Sequence, residues 1–142
     1  MLLSHRRLLT SLLGAALCLF LAVPASFAIS PSALGSTLPD AVVIDEAEVF
    51  SRASRGELEA KLKSFSDDRV DARLITVRRL DYGFSLSAFG EELLETWNSP
   101  SGNPLLLMLI ETQNKRAALI ADDELQTQLP ASLLTSTART TM

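Results

Sequence analysis

The feature that most constrains the fold is an apolar stretch with one interruption at residues 103–121, NPLLLMLIETQNKRAALIA. Residues 105–110 are all apolar and do not alternate with polar residues, which is typical of a strand covered by helices on both faces. Polar residues at 111–114 interrupt the stretch before a second segment over 115–121, in which residues 117–120 are apolar and predicted to face inward. The pattern predicts a short hairpin, in which two antiparallel strands are joined by a tight turn and the first strand lies at the centre of a sheet.

Two amphipathic helices are predicted upstream of this hairpin, at residues 51–65 and 85–98. The first begins at Ser51 or Ser54, because either serine can cap a helix and Glu57 follows Ser54 at the spacing of a capping box. Each helix has one apolar face, formed by Leu58, Leu62 and Phe65 in the first and by Leu86, Phe89, Leu93 and Trp97 in the second.

A third strand is predicted between these helices, at residues 73–80, where β-branched residues are concentrated. The order strand, helix, strand places it parallel to the strand at 105–110, whereas the hairpin returns antiparallel. A further helix is predicted over 131–139, after Pro130. The fold class predicted is therefore α/β, with a mixed central sheet flanked by helices.

Residues 1–28 have the pattern of a signal peptide. Arg6 and Arg7 precede an apolar run, and small residues at 24–28 predict cleavage after Ala28. The apolar run is short for a bilayer span, which needs about 20 residues, although an uncleaved anchor is the alternative. Residues 29–40 contain proline and small polar residues and are predicted to be a flexible tether. Residues 41–142 then form one domain.

The composition of the mature chain excludes several kinds of chemistry. The single histidine, His5, and the single cysteine, Cys18, both lie within the predicted signal peptide. Ser-His and Cys-His catalysis, Cys/His zinc sites and thiol redox chemistry are therefore excluded after cleavage. Loss of two arginines leaves 11 basic residues against 17 acidic ones, a net charge of −6, which argues against nucleic-acid binding.

Two groups of carboxylates flank predicted strands and are candidates for a metal site. The first group is Asp40, Asp45, Glu46 and Glu48, and the second is Asp122, Asp123 and Glu124. Oxygen ligands at strand ends suit a hard cation such as calcium or magnesium. The spacing matches no EF-hand loop, so a solvated acidic surface is the alternative.

Other candidates for ligand contact are basic or aromatic. Four arginines bracket the predicted strand at 73–80, namely Arg69, Arg73, Arg78 and Arg79. They suit a phosphate or carboxylate, but neighbouring aspartates (Asp67, Asp68, Asp71 and Asp81) favour mutual neutralisation. Of the rare aromatic residues, Trp97 is predicted to be in the core and Tyr82 on the surface.

The order of these features resembles the TPM-domain family, which includes thylakoid-lumen acid phosphatases and photosystem II repair proteins. Residues 43–51, VIDEAEVFS, match its usual opening Val-x-Asp-x-Ala-x-x-Leu-Ser, with Phe50 in the leucine position. A helix, a β-branched strand, a helix ending in Trp97 and an apolar strand follow in the expected order. The resemblance covers residues 42–134, and the stretch 122–130 is most similar to the cyanobacterial photosystem II repair branch.

The resemblance implies a central sheet between helices and export to the thylakoid lumen or the periplasm. It implies a role in photosystem II repair through contacts with photosystem II subunits or other thylakoid membrane proteins, with membrane association through an uncleaved or missing segment. One alternative is a metal-dependent acid phosphatase that uses Asp45 with Asp122 or Asp123 and calcium or magnesium. Another is a generic exported binding module.

Two departures from the family pattern lie on either side of the hairpin. The family often has Asp-Asn-Gly before the first strand, where this chain has SGNP at 101–104, and Gly-x-Gly after the second, where this chain has Ala121, Asp122 and Asp123. Only Asp45 matches cleanly. Family members also continue through further helices, so we expect the chain to be incomplete at its C-terminus.

Overall fold

The structure is a computed structural model that describes residues 28–128. Its elements in chain order are β1 (Ala28–Ile29), a 3-10 helix (Pro31–Leu34), β2 (Val43–Asp45), α1 (Arg52–Ser64), a second 3-10 helix (Phe65–Asp68), β3 (Asp71–Val77), β4 (Arg79–Leu80), α2 (Leu86–Thr96), β5 (Leu105–Glu111), β6 (Arg116–Ala121) and α3 (Asp123–Gln126). Within this part of the chain, none of the helices has the length and apolar character needed to cross a bilayer. The predicted signal peptide and the helix predicted at 131–139 lie outside the described residues.

The central sheet has four strands in the order β2-β3-β5-β6. β2, β3 and β5 are parallel, and β6 returns antiparallel to β5 after a short turn. The predicted α/β class, the mixed sheet and the hairpin are therefore confirmed. The carboxyl ends of β2, β3 and β5 share one edge of the sheet, which we call the carboxyl edge, and the opposite edge is the amino edge.

Helix α2 covers one face of the sheet and α1 covers part of the other. On the α2 face, Phe89 and Trp97 are 0% and 1% exposed and pack with Leu107 and Leu109 of β5. On the α1 face, Leu62 packs over β2 and β3. Alternate residues of β5 are accordingly buried and half-buried. Among residues 28–128, the predicted covering of β5 on both faces is thus confirmed for the α2 face and only partial on the α1 face.

Serine caps define where both helices begin. The backbone N–H of Ser54 donates to Oγ of Ser51 at 3.1 Å, so α1 begins after Ser51 and not at the capping box predicted at Ser54. In α2 the N–H of Ala88 donates to Oγ of Ser85 at 3.1 Å. That helix ends at Thr96, since Trp97 is already extended, two residues earlier than predicted.

The segment 29–40 differs from the flexible tether predicted for it. β1 pairs in parallel with β4, Pro31 is buried, and Leu34 packs against the core. The indole N–H of Trp97 also donates to the carbonyl oxygen of Gly35 at 3.0 Å. Apolar residues at 29, 34 and 38 make these contacts favourable, so the segment belongs to the domain.

The strand predicted at 73–80 is two strands. β3 begins at Asp71 and ends at Val77, and the chain then leaves the central sheet so that β4 pairs with β1. The carbonyl groups of Val77 and Arg78 accept hydrogen bonds from the turn of the β5-β6 hairpin, at 2.9 and 3.0 Å. Beyond the end of β3, these hydrogen bonds connect the chain to the hairpin in place of the β3-β5 strand ladder.

Candidate functional site

A groove with an acidic lining runs between the second half of α2 and the start of α3. It consists of two adjoining cavities, of about 370 and 430 Å³, which share Asp122 and Asp123 in their walls. Glu91 and Glu95 of α2 line the first cavity, and the loop at 98–104 lines the second. We call the surface formed by Glu91, Glu95, Asp122 and Asp123 the acidic groove.

The topology explains why these four carboxylates gather. Glu91 and Glu95 are four residues apart on α2 and therefore lie on one side of that helix. Asp122 follows the last residue of β6, whose register places its end beside the first residues of β5. Both pairs of carboxylates thus reach the amino edge of the sheet.

Asp122 is held in place by β5, whereas Asp123 is exposed. Oδ2 of Asp122 accepts a hydrogen bond from the N–H of Leu105 at 2.7 Å, and the N–H of Asp122 donates to the carbonyl oxygen of Leu105 at 3.1 Å. Asp123 is the first residue of α3 and its side chain is open to solvent. The groove therefore combines a carboxylate held by hydrogen bonds with exposed ones that a partner can contact.

The loop wall of the groove is anchored by a buried ion pair. Asp71 accepts a hydrogen bond at Oδ2 from the hydroxyl of Ser99 at 2.8 Å, and a longer one from Nη2 of Arg73 at 3.3 Å. Nε of Arg73 lies 2.9 Å from Oδ1 of Asp71, but in an alignment too poor for a hydrogen bond. The arrangement ties the start of β3 to the loop that follows α2.

Asp45 lies at the carboxyl edge with its side chain fully buried. Its Oδ1 accepts hydrogen bonds from the hydroxyl of Thr76 and from the N–H of Val49, at 3.1 Å for the latter. Its Oδ2 accepts from the N–H of Phe50 at 3.0 Å and from Arg55 at 3.3 Å. Burial raises the pKa of this carboxyl, but the four donors outweigh burial and hold the pKa below its ordinary value of 3.8.

The structure does not bring Asp45 together with Asp122 or Asp123. Asp45 is level with Thr76 and Ile110, whereas the last residue of β6, next to Asp122, is level with Leu106. Four residues of strand separate these levels, or about 13 Å along the sheet. The single site predicted as an alternative, shared by Asp45 with Asp122 or Asp123, is therefore not formed.

The remaining carboxylates predicted near Asp45 do not converge on it. The carbonyl oxygen of Asp40 accepts from Nη1 of Arg73 at 3.2 Å. Glu48 is exposed and lies 3.8 Å from the guanidinium of Arg78, and Glu46 is exposed. The first predicted carboxylate group is therefore dispersed, apart from the buried Asp45.

The predicted basic and aromatic candidates have mainly structural positions. Neutralisation of Arg73 by Asp71 is confirmed, whereas the carboxylate found near Arg78 is Glu48. Arg69 has a positive φ of 60° at the end of the second 3-10 helix. The predictions for the two aromatics are confirmed, since Trp97 is 1% exposed and Tyr82 is fully exposed.

Sequence reasoning missed Glu111, a carboxylate that is 1% exposed at the end of β5. Its oxygens accept hydrogen bonds from Asn114 at 2.8 Å, from Nε of Arg116 at 2.8 Å and from the N–H of Leu80 at 3.3 Å. The sequence signal that could have indicated this ion pair is a glutamate at the end of an apolar strand, followed five residues later by an arginine in the returning strand. Burial raises the pKa of Glu111, but these donors, led by Arg116, lower it below its ordinary value of 4.5.

A calcium or magnesium ion needs several oxygen ligands that converge on one point. Across residues 28–128, histidine, cysteine, aspartate and glutamate side chains form no group of three or more that could hold one. Calcium normally takes six to eight oxygen ligands, and magnesium needs an octahedral set. The calcium or magnesium implied by the resemblance therefore does not fit the described part of the chain.

Comparison with known proteins adds one finding. A family model described as the TPM domain matches residues 43–142, which is most of the chain. The match begins at β2, includes both sides of the acidic groove and continues beyond the described residues. No curated protein matches the chain.

Proposed function

The chain belongs to the TPM domain family, and from that premise we propose that it is an exported accessory protein that acts through protein contacts in photosystem II repair or maintenance. Its partners are photosystem II subunits or other thylakoid membrane proteins. Its compartment is the thylakoid lumen or the periplasm, with association to the membrane. Family membership is compatible with this role and with a phosphatase-like one.

The main support for a role through protein contacts is that the carboxylate of Asp45 is already hydrogen-bonded within the fold. This residue matches the opening pattern of the family most cleanly, and both of its oxygens are used by donors from within the fold. A carboxylate with four internal donors stabilises the structure around it and is poorly placed to bind a substrate. Asp45 therefore stabilises the fold, and we assign the function to residues on the protein surface.

The acidic groove is the surface that best suits a partner. It is open, and Glu124, in the wall of its second cavity, adds to the four carboxylates that define it. The two places where the chain departs from the family pattern, residues 101–104 and 121–123, both contribute to it. We assign partner contact to this groove, and its charge favours a basic segment of the partner because opposite potentials steer association.

The proposal is tested by affinity purification from solubilised thylakoid membranes, with the tagged chain as bait. Photosystem II subunits should be enriched over the same purification with an untagged strain. Enrichment should fall as salt rises, because contact through exposed charges is screened. Absence of photosystem II subunits at low salt would contradict the proposed role.

A phosphatase role is the competing outcome and needs a separate assay. Phosphate release from a generic ester is measured with and without calcium or magnesium for the parent chain and for Asp122→Asn combined with Asp123→Asn. Turnover that depends on the metal and is lost in the double variant would favour a phosphatase over an accessory protein. An Asp45 variant is unsuitable here, since it also weakens the fold.

A further inference from the structure

Charge is distributed unevenly between the two edges of the central sheet. Three segments lie at the carboxyl edge, namely residues 45–55 after β2, residues 78–85 around β4, and residues 111–116 at the turn of the hairpin. We call the surface that they form the basic end. It contains six of the ten lysines and arginines among residues 28–128: Arg52, Arg55, Arg78, Arg79, Lys115 and Arg116.

The carboxylates of the basic end are fewer, and two of them are buried. Asp45 and Glu111 are bound by Arg55 and Arg116, yet 44% and 50% of these arginine side chains remain exposed. With three further acids in these segments, the basic end has six cations against five carboxylates, a charge of +1. The rest of residues 28–128 has four cations against twelve carboxylates, a charge of −8. The two edges of the sheet therefore differ strongly in charge.

Aromatic and apolar side chains are exposed among these cations. Tyr82, in the loop between β4 and α2, is fully exposed, and Val49, in the loop after β2, is 51% exposed. Glu48, next to Val49, lies 3.8 Å from the guanidinium of Arg78, so the loop after β2 lies beside the segment 78–85. A tyrosine near arginines suits the headgroup region of a bilayer, because its ring is apolar and its hydroxyl is polar.

The chain also enters the domain at the basic end. β1 pairs in parallel with β4, so Ala28 lies beside Arg79. In the sequence, the apolar run of the N-terminal segment ends at Val23, five residues before Ala28. Five residues span at most about 17 Å. An apolar run placed in a bilayer would therefore hold the basic end close to the lipid headgroups.

We propose that the basic end docks on an anionic lipid surface, so that the acidic groove at the amino edge faces away from the membrane. The proposal rests on the membrane association in the proposed function and names the surface that makes it. It does not depend on contact with photosystem II. An acidic protein would also complement the cations, but the exposed Tyr82 and the entry of the chain beside Arg79 favour lipid.

The distance between the two edges explains why an acidic domain can dock in this way. Attraction between a charge and an anionic membrane falls off within a Debye length, about 8 Å at physiological salt. The seven residues of β5 extend over about 23 Å between the edges. When the basic end faces the membrane, the carboxylates of the amino edge are therefore screened, and attraction by the cations outweighs their repulsion.

The orientation is measured with the full chain reconstituted into vesicles. Cys18 is the single cysteine, so a Cys18→Ser background allows one introduced cysteine to carry a fluorophore. Gln113→Cys places the label on the exposed turn at the basic end, and Asn98→Cys places it after α2 at the amino edge. Acrylamide, a neutral aqueous quencher, is present on both sides of the bilayer.

We expect lipid charge to protect only the label at the basic end. In vesicles that contain phosphatidylglycerol, quenching of the label at 113 should be several-fold weaker than in vesicles of phosphatidylcholine alone. High salt should remove this protection, because it screens the attraction. The label at 98 should be quenched equally in both kinds of vesicle.

Charge reversal tests whether the basic end is responsible. Arg52→Glu with Lys115→Glu reverses two exposed cations there and should remove the protection of the label at 113. Lys61→Glu with Lys63→Glu is the matched control, since it makes the same change of net charge at the other end of α1 and should keep the protection. Tyr82→Ser should reduce the protection without any change of charge. Circular dichroism confirms that each variant is folded.

Three results would overturn the proposal. The first is equal quenching of the label at 113 in both kinds of vesicle, which would leave an acidic protein as the ligand of the basic end. The second is a loss of protection in the Lys61 and Lys63 variant as large as that in the Arg52 and Lys115 variant. The third is protection of the label at 98. Failure of photosystem II co-purification leaves these results unchanged, so the two proposals are tested separately.

Discussion

The hydroxyl of Thr76 donates a hydrogen bond to the carboxylate of Asp45, from the middle strand β3 to the edge strand β2. The same hydroxyl oxygen accepts from the N–H of Ala47 at 3.3 Å. Thr76 is 0% exposed, so this contact joins two strands and the loop after β2 in a buried site. The hydrogen bond from Thr76 therefore gives Asp45 a structural role.

Thr76→Val should lower the free energy of unfolding by about 1–3 kcal/mol, because it removes the hydroxyl and leaves a buried carboxylate with one donor fewer. Urea denaturation monitored at Trp97 measures the loss. Thr112→Val is the matched control, since its hydroxyl makes a longer contact of 3.4 Å to a backbone carbonyl and its side chain is half-exposed. An equal loss in both variants would contradict the role given to Thr76.

Glu111→Gln should also destabilise the fold, by about 1–3 kcal/mol, since a neutral amide replaces a buried acceptor of charge-assisted hydrogen bonds. The ion pair with Arg116 and the contact to β4 are both weakened. Chemical denaturation provides the value. Exposed Glu57 on α1, changed to glutamine, should alter stability by less than about 0.5 kcal/mol.

Stability should fall in acid. The folded-state pKa values of Asp45 and Glu111 lie below their ordinary values of 3.8 and 4.5. The stabilisation that these two carboxylates give is therefore fully present when the pH is above their ordinary pKa values. It is lost as the pH falls through their lower pKa values in the folded state. Denaturation from pH 7 down to about pH 2 should show this loss below about pH 4.5, and a flatter curve for Asp45→Asn. An unchanged slope in that variant would contradict the shift.

Two glycines in helices should respond in opposite directions to alanine. At Gly90 of α2, a Cβ would overlap Cγ1 of Ile120 and lie 3.0 Å from Cδ1 of Leu109, so Gly90→Ala should cost about 1–3 kcal/mol although alanine has the better helix propensity. At Gly56 of α1 nothing lies within 4 Å. Gly56→Ala should therefore raise stability by about 0.5–1 kcal/mol. Thermal unfolding of both variants compares them.

The main elements could be predicted because their patterns are long. The run at 105–110, the turn after it and the faces of α1 and α2 all depend on local periodicity, and each lies where it was predicted within a few residues. The segment 29–40 was misjudged because its small, proline-bearing composition is also that of a packed 3-10 turn. Its apolar residues at 29, 34 and 38 were the signal that should have counted.

The candidate site was harder to predict from the sequence, because it depends on which edge of the sheet each carboxylate reaches. An antiparallel return of β6 was predicted, and it already implied that Asp122 lies at the amino edge, away from Asp45. The gathering of Glu91 and Glu95 near Asp122 depends on how α2 packs across the sheet, which local pattern does not specify. Glu111 was missed because its partners come from three separate elements.

The most direct test of the central claim is the amount of photosystem II subunits that co-purifies with a charge-reversed acidic groove. Glu91→Lys combined with Glu95→Lys reverses two of its four carboxylates and should abolish enrichment at low salt. Glu92→Lys is the control, because Glu92 lies on the same helix but lines a different cavity, beside Pro31 and Gly35, and it should bind as the parent chain does. Equal enrichment for the groove variant and the control, with both folded, would contradict the account.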